Sequence, residues 1–290
     1  MTAGIQLEQI GDGKTLPQNL LINPGFEIWQ RGVGPFTSGS TFSSDEWWFT
    51  GFRLTVDKET TNQRYGSSCL KVDHATGGTD SVRQGIENYK SLEGQWLTFS
   101  AWVWCDTANA VSLRLVDYNG SKENALSDYH SGGSGWEHLT VVKKIRTGLL
   151  STASFPHSFG LSADLYFVDV AVTDALMDGA SLVIGNFPQG VPFIPLNPAD
   201  DQARCERFFE ETKTDFSGDT TSGSNYYGYT YWRQLKQASP TITAQINNQS
   251  RFPASTGTFF ANTRLVSEYR ASNSTGAAGR FVTDIFAEVT

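Results

Sequence analysis

From Asn19 onward the chain alternates apolar and polar residues over short runs that stop at Gly, Ser, Asn or Asp. Such runs lie at 47–56, 68–74, 81–87, 96–105, 111–118, 136–142 and 165–172, separated by turn-forming stretches such as ATGGTD, YNGSKEN and HSGGSG. No helical period falls between them, so the pattern predicts an antiparallel β-sandwich. The run TFSAWVWC shows the period best. Phe99, Ala101, Val103 and Cys105 fall on one face, and Thr98, Ser100, Trp102 and Trp104 on the other. The next run splits in the same way, with Val111, Leu113 and Leu115 opposite Ser112, Arg114 and Val116.

Near Asn197 the pattern changes to NPADDQARCERFFEE. Asn197 suits a cap, Pro198 the first helical position, and Asp200 and Asp201 the positive end of the helix dipole. A helix is expected over 198–211, and β-like runs return beyond it. The layout expected is an arm at 1–18 without a helical or strand period, a sandwich at 19–197, a linking helix at 198–211 and a smaller β-domain at 212–290. The fold class is therefore all-β.

The 290 residues are 39% hydrophobic and only 18% charged, with 28 Gly, 19 Phe, 10 Tyr and 8 Trp, which suits short strands and Gly-rich turns. A net charge of −8 offers no general basic surface for phosphates, so nucleic acid is not an expected partner. The first twenty residues lack a basic start and an apolar core, and no apolar run nears the ~20 residues of a spanning helix, so neither standard export nor membrane insertion is expected. Cys69, Cys105 and Cys205 are too few and too far apart for a disulfide framework or a compact zinc site. They read as reduced core residues, made in a cytoplasm.

Four segments, NLLINPGFEIWQRG, FTSGSTFSSDEWWFTG, GQWLTFSAWVW and GWEHLTV, resemble in their order the carbohydrate-binding-module-like (galactose-binding-like) jelly rolls of bacteriophage and prophage tail-fibre and receptor-binding proteins. VPFIPLNPADDQARCERFFEE is similar to the passage from such sandwiches into a helix and a C-terminal β-domain. The resemblance implies a virion surface protein of the tail fibre, tail tip or head fibre, assembled as a homotrimer; the N-terminal arm, which lies outside the resemblance, is the expected contact with other virion proteins. It would adhere to host cell-surface polysaccharide. The alternative is a purely structural decoration or connector protein that uses the sandwich for protein contacts. Where relatives often show a basic residue after the aspartate of a DRW element, this chain has DEWW.

A sugar needs a flat apolar face for its C–H surface and polar groups for its hydroxyls. Trp102 and Trp104, with Arg114, Arg83 and Glu87 on nearby runs, form the candidate carbohydrate site; the other reading is packing beneath a loop or subunit. Trp29, Trp47 and Trp48 are expected in core or corner roles, and alternation lets only one of the adjacent pair face the core. Glu27, after the Pro24–Gly25 turn, and Asp169 are candidates for a structural calcium site, an ion often carried by the sandwiches the chain resembles. The other reading is a turn brace and a hydrogen-bonded aspartate. No other cofactor is expected. Tyr226, Tyr227, Tyr229, Tyr231 and Trp232, among Ser, Gly and Asn, have the composition of an interface. His74, His130, His138 and His157 show no metal spacing, no Ser sits in a GxSxG elbow, and Asp45 and Glu46, if on a strand, point apart, so no enzyme is expected.

Overall fold

The computed structural model describes residues 7–9, 15–37, 41–220, 225–231, 241–250, 258–261, 265–271 and 276–288. The chain divides into two compact units, 1–197 and 198–290. In the first, β1 (Leu7–Gln9) and β2 (Thr15–Pro17) pair as an antiparallel hairpin, a feature that the sequence of the arm did not announce. The strands that follow are β3 (Thr41–Phe42), β4 (Trp48–Thr50), β5 (Leu54–Glu59), β6 (Cys69–His74), β7 (Asp80–Gly85), β8 (Trp96–Cys105), β9 (Val111–Tyr118), β10 (Lys122–Tyr129), β11 (Gly135–Lys144), β12 (Leu161–Phe167) and β13 (Val172–Ile184).

These strands build a jelly-roll sandwich. One sheet has six strands in the order β10-β9-β12-β7-β4-β3, the other five in the order β11-β8-β13-β6-β5, and every pairing is antiparallel. The core lies between them. Leu113, Leu115, Leu165 and Phe167 from the first sheet and Phe99, Ala101, Val103 and Met177 from the second are fully buried there. Trp47 is the core tryptophan, packed on Phe26 with ring centroids 5.0 Å apart, while Trp48 faces outward on β4. Trp29 is a corner residue, its indole N–H donating to the Phe26 carbonyl at 2.6 Å.

The opening segment closes the sandwich. The Asn19 side-chain amide donates to the Ala180 carbonyl at 2.9 Å and its oxygen accepts the Leu182 N–H at 3.0 Å, while the Leu20 N–H reaches the Leu182 carbonyl at 2.8 Å. Asn23, in the left-handed region at φ 49°, turns its amide onto the Ile28 carbonyl and the Ser44 hydroxyl.

Two expected runs divide differently. Residues 47–56 form two strands in different sheets, because the chain crosses over at Gly51, whose φ of 104° favours glycine. The run 165–172 likewise ends β12 at Phe167 and begins β13 at Val172, so Asp169 sits in a turn. Asp45 and Glu46 lie in the turn before β4 and not on a strand.

The second unit opens with α1 (Pro198–Glu206), shorter than the expected 198–211, since strand begins again at Phe209. Its strands are β14 (Phe209–Thr220), β15 (Asn225–Tyr231), β16 (Thr241–Ser250), β17 (Thr258–Ala261), β18 (Leu265–Ala271) and β19 (Gly276–Glu288). They form two three-stranded antiparallel sheets, β14-β19-β16 and β15-β18-β17. Among the described residues no helix is long and apolar enough to cross a membrane.

Candidate functional site

Period 2 sends Ser81 and Arg83 of β7, Ser112 and Arg114 of β9, and Ser162, Asp164 and Tyr166 of β12 to the outer face of the six-stranded sheet, opposite the leucines of the core. Cross-strand register then brings the charges together, with Asp164 opposite both Arg83 and Arg114. The Arg114 guanidinium donates to Asp164 Oδ2 through Nε at 3.0 Å and Nη2 at 2.6 Å, and Ser162 Oγ donates to Oδ1 at 2.7 Å. Arg83 lies 3.7 Å from the same carboxylate and holds the Ser81 hydroxyl. The side chain of Asp164 is fully buried, so this satisfied network is a fixed floor.

Over one end of that face folds the segment from Leu149 to Phe159. Arg83 Nη1 donates to the Ser154 carbonyl at 3.3 Å, Phe155 is buried against the sheet, and Gly85 lets the Pro156 carbonyl come close. What stays open is a cleft of about 200 Å³. Its walls carry Thr50, Thr79, Asp80 and Ser81 on one side, Lys122, Asn124 and Val116 on the other, with Arg83, Arg114, Phe155 and Tyr166 between. Arg114 stacks over the Tyr166 ring at 4.0 Å from its centroid. Asp80 is held by Arg53 at 2.7 Å and His74 at 3.2 Å.

Arg83 and Arg114, expected from the sequence as carbohydrate contacts, both line this cleft. Trp102 and Trp104 do not join them. They lie on β8 in the other sheet, so their outward face is on the opposite side of the sandwich. Alternation fixes whether a side chain points in or out but not which sheet it belongs to, and the expected five-residue site is corrected on that ground. Glu87 lies beyond the end of β7 and does not line the cleft.

On their own sheet Trp102 and Trp104 are half-buried, and Trp104 is flanked in register by Trp136 of β11 and Leu176 of β13. The Arg64 guanidinium covers the Trp102 ring at 3.4 Å and the His138 ring packs at 5.1 Å, so that indole is already stacked. Further along the same face, the segment after β13 is strapped down by Ser100 Oγ donating to the Val191 carbonyl at 3.2 Å and by Thr98 Oγ1 accepting the Phe187 N–H at 2.9 Å.

The two calcium candidates do not meet. Glu27 accepts from the Ser67 N–H at 2.6 Å and from the Ser67 hydroxyl, just before β6, whereas Asp169 accepts the Gly77 N–H at 2.5 Å, just after it. A six-residue strand spans roughly 17–20 Å, too far for one ion's oxygen shell. Each carboxylate braces its own loop, and the residues do not fit a shared calcium. Among the described residues no group of three or more His, Cys, Asp and Glu gathers as a metal site.

The cysteines are all free and buried; burial pushes the Cys105 thiol up to about 11 and Cys69 higher still, away from nucleophilic use. Tyr226, Tyr227, Tyr229 and Tyr231 lie on β15, paired with Arg270, Tyr269, Ser267 and Leu265 of β18. Trp232 lies outside the described residues.

Lys122, Asn124, Thr50, Thr79 and Tyr166 are cleft residues that sequence reasoning missed. Tyr166 was within reach, since it keeps period with Asp164. Lys122 and Asn124 were hidden because they fall in YNGSKEN, which reads as a turn.

No protein-family model matches the chain, and no curated protein matches it. Among solved structures it is similar to the CBM22-1–GH10 modules of Clostridium thermocellum xylanase 10B complexed with xylohexaose, at 11% identity and a TM-score of 0.42, over 58% of this chain and 29% of that one. It is also similar to TmCBM61 in complex with β-1,4-galactotriose, at 18% identity and a TM-score of 0.36, over 58% of this chain and 99% of that one. Bacteriophage CBA120 tailspike protein 4, enzymatically active domain, matches at 12% identity and 0.37, over 58% and 21%. At these scores the likeness assigns no ligand.

Proposed function

We propose that the chain is a glycan-binding protein that holds its ligand in the cleft on the outer face of the six-stranded sheet. The cleft carries this reading. It is a pre-formed depression whose walls supply hydroxyls from Thr50, Thr79 and Ser81, an amide from Asn124 and cationic donors, over a floor that is already fixed. The resemblance of the sequence to phage receptor-binding proteins supports the finer reading of a virion surface adhesin that recognises host polysaccharide, with the N-terminal residues, outside that resemblance, as its anchor. It also supports assembly as a trimer, with the tyrosine-rich strand β15 at the interface. The chain binds and does not catalyse in this reading.

The test is a broad bacterial glycan array probed with the full chain, beside Thr50→Ala/Asn124→Ala and Trp102→Ala/Trp104→Ala. Both variants are first checked for native circular dichroism. The expected outcome is binding that the first variant loses and the second keeps. Binding lost only with the tryptophans would move the site to the five-stranded sheet.

A second reading has its own observation. Trp104 and Trp136 side by side on the outer face of the five-stranded sheet suit a protein contact, as a decoration or connector protein would need. Silence of the native protein on the array, with both tryptophans shielded from a soluble quencher in the assembled particle, would favour it.

A further inference from the structure

The cleft is a positive spot on a chain whose net charge is −8. Three cations, Arg83, Arg114 and Lys122, line it, against the carboxylate of Asp80 in the wall and that of Asp164 buried beneath. Asp80 is taken up by Arg53 from outside the cleft, at 2.7 Å and 3.0 Å in a two-pronged contact. Asp164 is spent on the arginines beneath. Lys122, on the edge strand β10, is exposed and makes no ion pair among the described residues; its ammonium lies 5.5 Å from the Phe155 ring centroid. The other uncommitted groups of the walls are hydroxyls and an amide, which donate as readily as they accept. An excess of donors over free acceptors, with one cation unmatched, is the complement of an anion.

We propose, resting on the reading of the cleft as a glycan site, that it selects acidic saccharides, sugars bearing a carboxylate or a phosphate, and that Lys122 is the residue that recognises the anionic group. The field in the cleft agrees with this: partial burial and the neighbouring Arg83 and Arg114 hold the Lys122 ammonium below the usual lysine range, a strain that a bound anion relieves. A carboxylate or phosphate oxygen held by Lys122 would leave the sugar ring in the cleft and its hydroxyls within the reach of Asn124 and Thr50. Neutral sugars can meet the same walls but leave the cation unmatched.

The experiment is calorimetric titration of the full chain with tetragalacturonate, with the same tetrasaccharide after reduction of its carboxyls, and with a phosphate-substituted saccharide of matched length. Lys122→Ala and the charge-reversed Lys122→Glu are run beside the native protein; the side chain is exposed on an edge strand, so both should fold. The expected result is tighter binding of an acidic ligand than of its neutral counterpart, on the order of tenfold. That preference should vanish in Lys122→Ala, reverse in Lys122→Glu and shrink at 0.5 M salt, a concentration taken as roughly enough to screen exposed charges. The two acidic arms separate a carboxylate-bearing from a phosphate-bearing source. Neutral and acidic saccharides bound alike through Thr50 and Asn124 would overturn the inference and leave the glycan reading standing. If none of these ligands binds and the array is silent, both fall.

Discussion

Asp45 sits fully buried in the turn before β4, 3.0 Å from Arg31 and 2.8 Å from the Gln30 amide. Burial outweighs both partners and pushes its carboxyl up to about 6 from an ordinary 3.8. The folded chain therefore keeps a proton that the unfolded chain releases near 3.8, so folding takes up a proton between those two values. The stability due to this residue is greatest below the lower value and falls as pH rises through the upper one, by about 3 kcal/mol in all. Asp45→Asn cannot titrate, so urea midpoints measured from pH 4 to pH 7 should show a stability difference between the extremes that is smaller, roughly, by that amount. An unchanged slope would mean that the carboxyl ionises normally. The same scale shows why two residues of the cleft were legible and the tryptophans of the expected site fell elsewhere. Arg83 and Arg114 stand among small polar residues at outward positions, a combination with no core role. Trp102 carries the stronger sequence signal, yet Arg64, from a loop far along the chain, already occupies its face.

At the scale of elements, the cleft depends on the segment from Leu149 to Phe159 lying flat on β7. Gly85 makes room for it: a methyl group there would stand 2.6 Å from the Pro156 carbonyl oxygen and 2.9 Å from the Phe159 ring. Gly85→Ala should push the segment off the sheet and cost about 1–3 kcal/mol. It should also weaken glycan affinity, because Ser154 no longer holds Arg83. Denaturant midpoints together with titration of the array ligand check this, and a stable variant with native affinity would show that the segment is dispensable. Strands with strict alternation, β8 and β9, were readable because each residue has one environment. β13 escaped notice although it has 13 residues, since Asp178, Gly179 and a register shift between Asp178 and Ser181 break its period against β8. β10 escaped because an edge strand can be polar on most of its length. The crossing at Gly51 shows the converse, a single strand-like run that serves two sheets.

For the whole molecule, the division at Asn197 separates a unit that bears the cleft from one that bears the tyrosine-rich strand. Residues 1–197 made alone should fold cooperatively, run as a monomer in light scattering and bind a soluble glycan as the full chain does. The full chain, if trimeric, should hold a glycan-coated surface more tightly by on the order of a hundredfold or more, through avidity alone. Equal surface binding by both, or a monomeric full chain, would remove the trimer. The sandwich was foreseeable from composition and turn spacing, but the join of its ends was not, because it rests on hydrogen bonds of the Asn19 side chain and the Leu20 backbone to residues more than 160 positions away. That join decides how the sandwich responds to force. Asn19 and Leu20 are clasped to Ala180 and Leu182, and the outgoing chain is strapped to β8 at Thr98 and Ser100. Tension applied at the two ends of the sandwich would meet this clasp and strap on the five-stranded sheet and the six-stranded sheet as well, because the Ile22 N–H donates to Gln84 Oε1 on β7 at 2.8 Å and Gln84 Nε2 donates to the Ile22 carbonyl at 2.7 Å. Load on the incoming chain would therefore reach the strand that carries Arg83, beside the cleft.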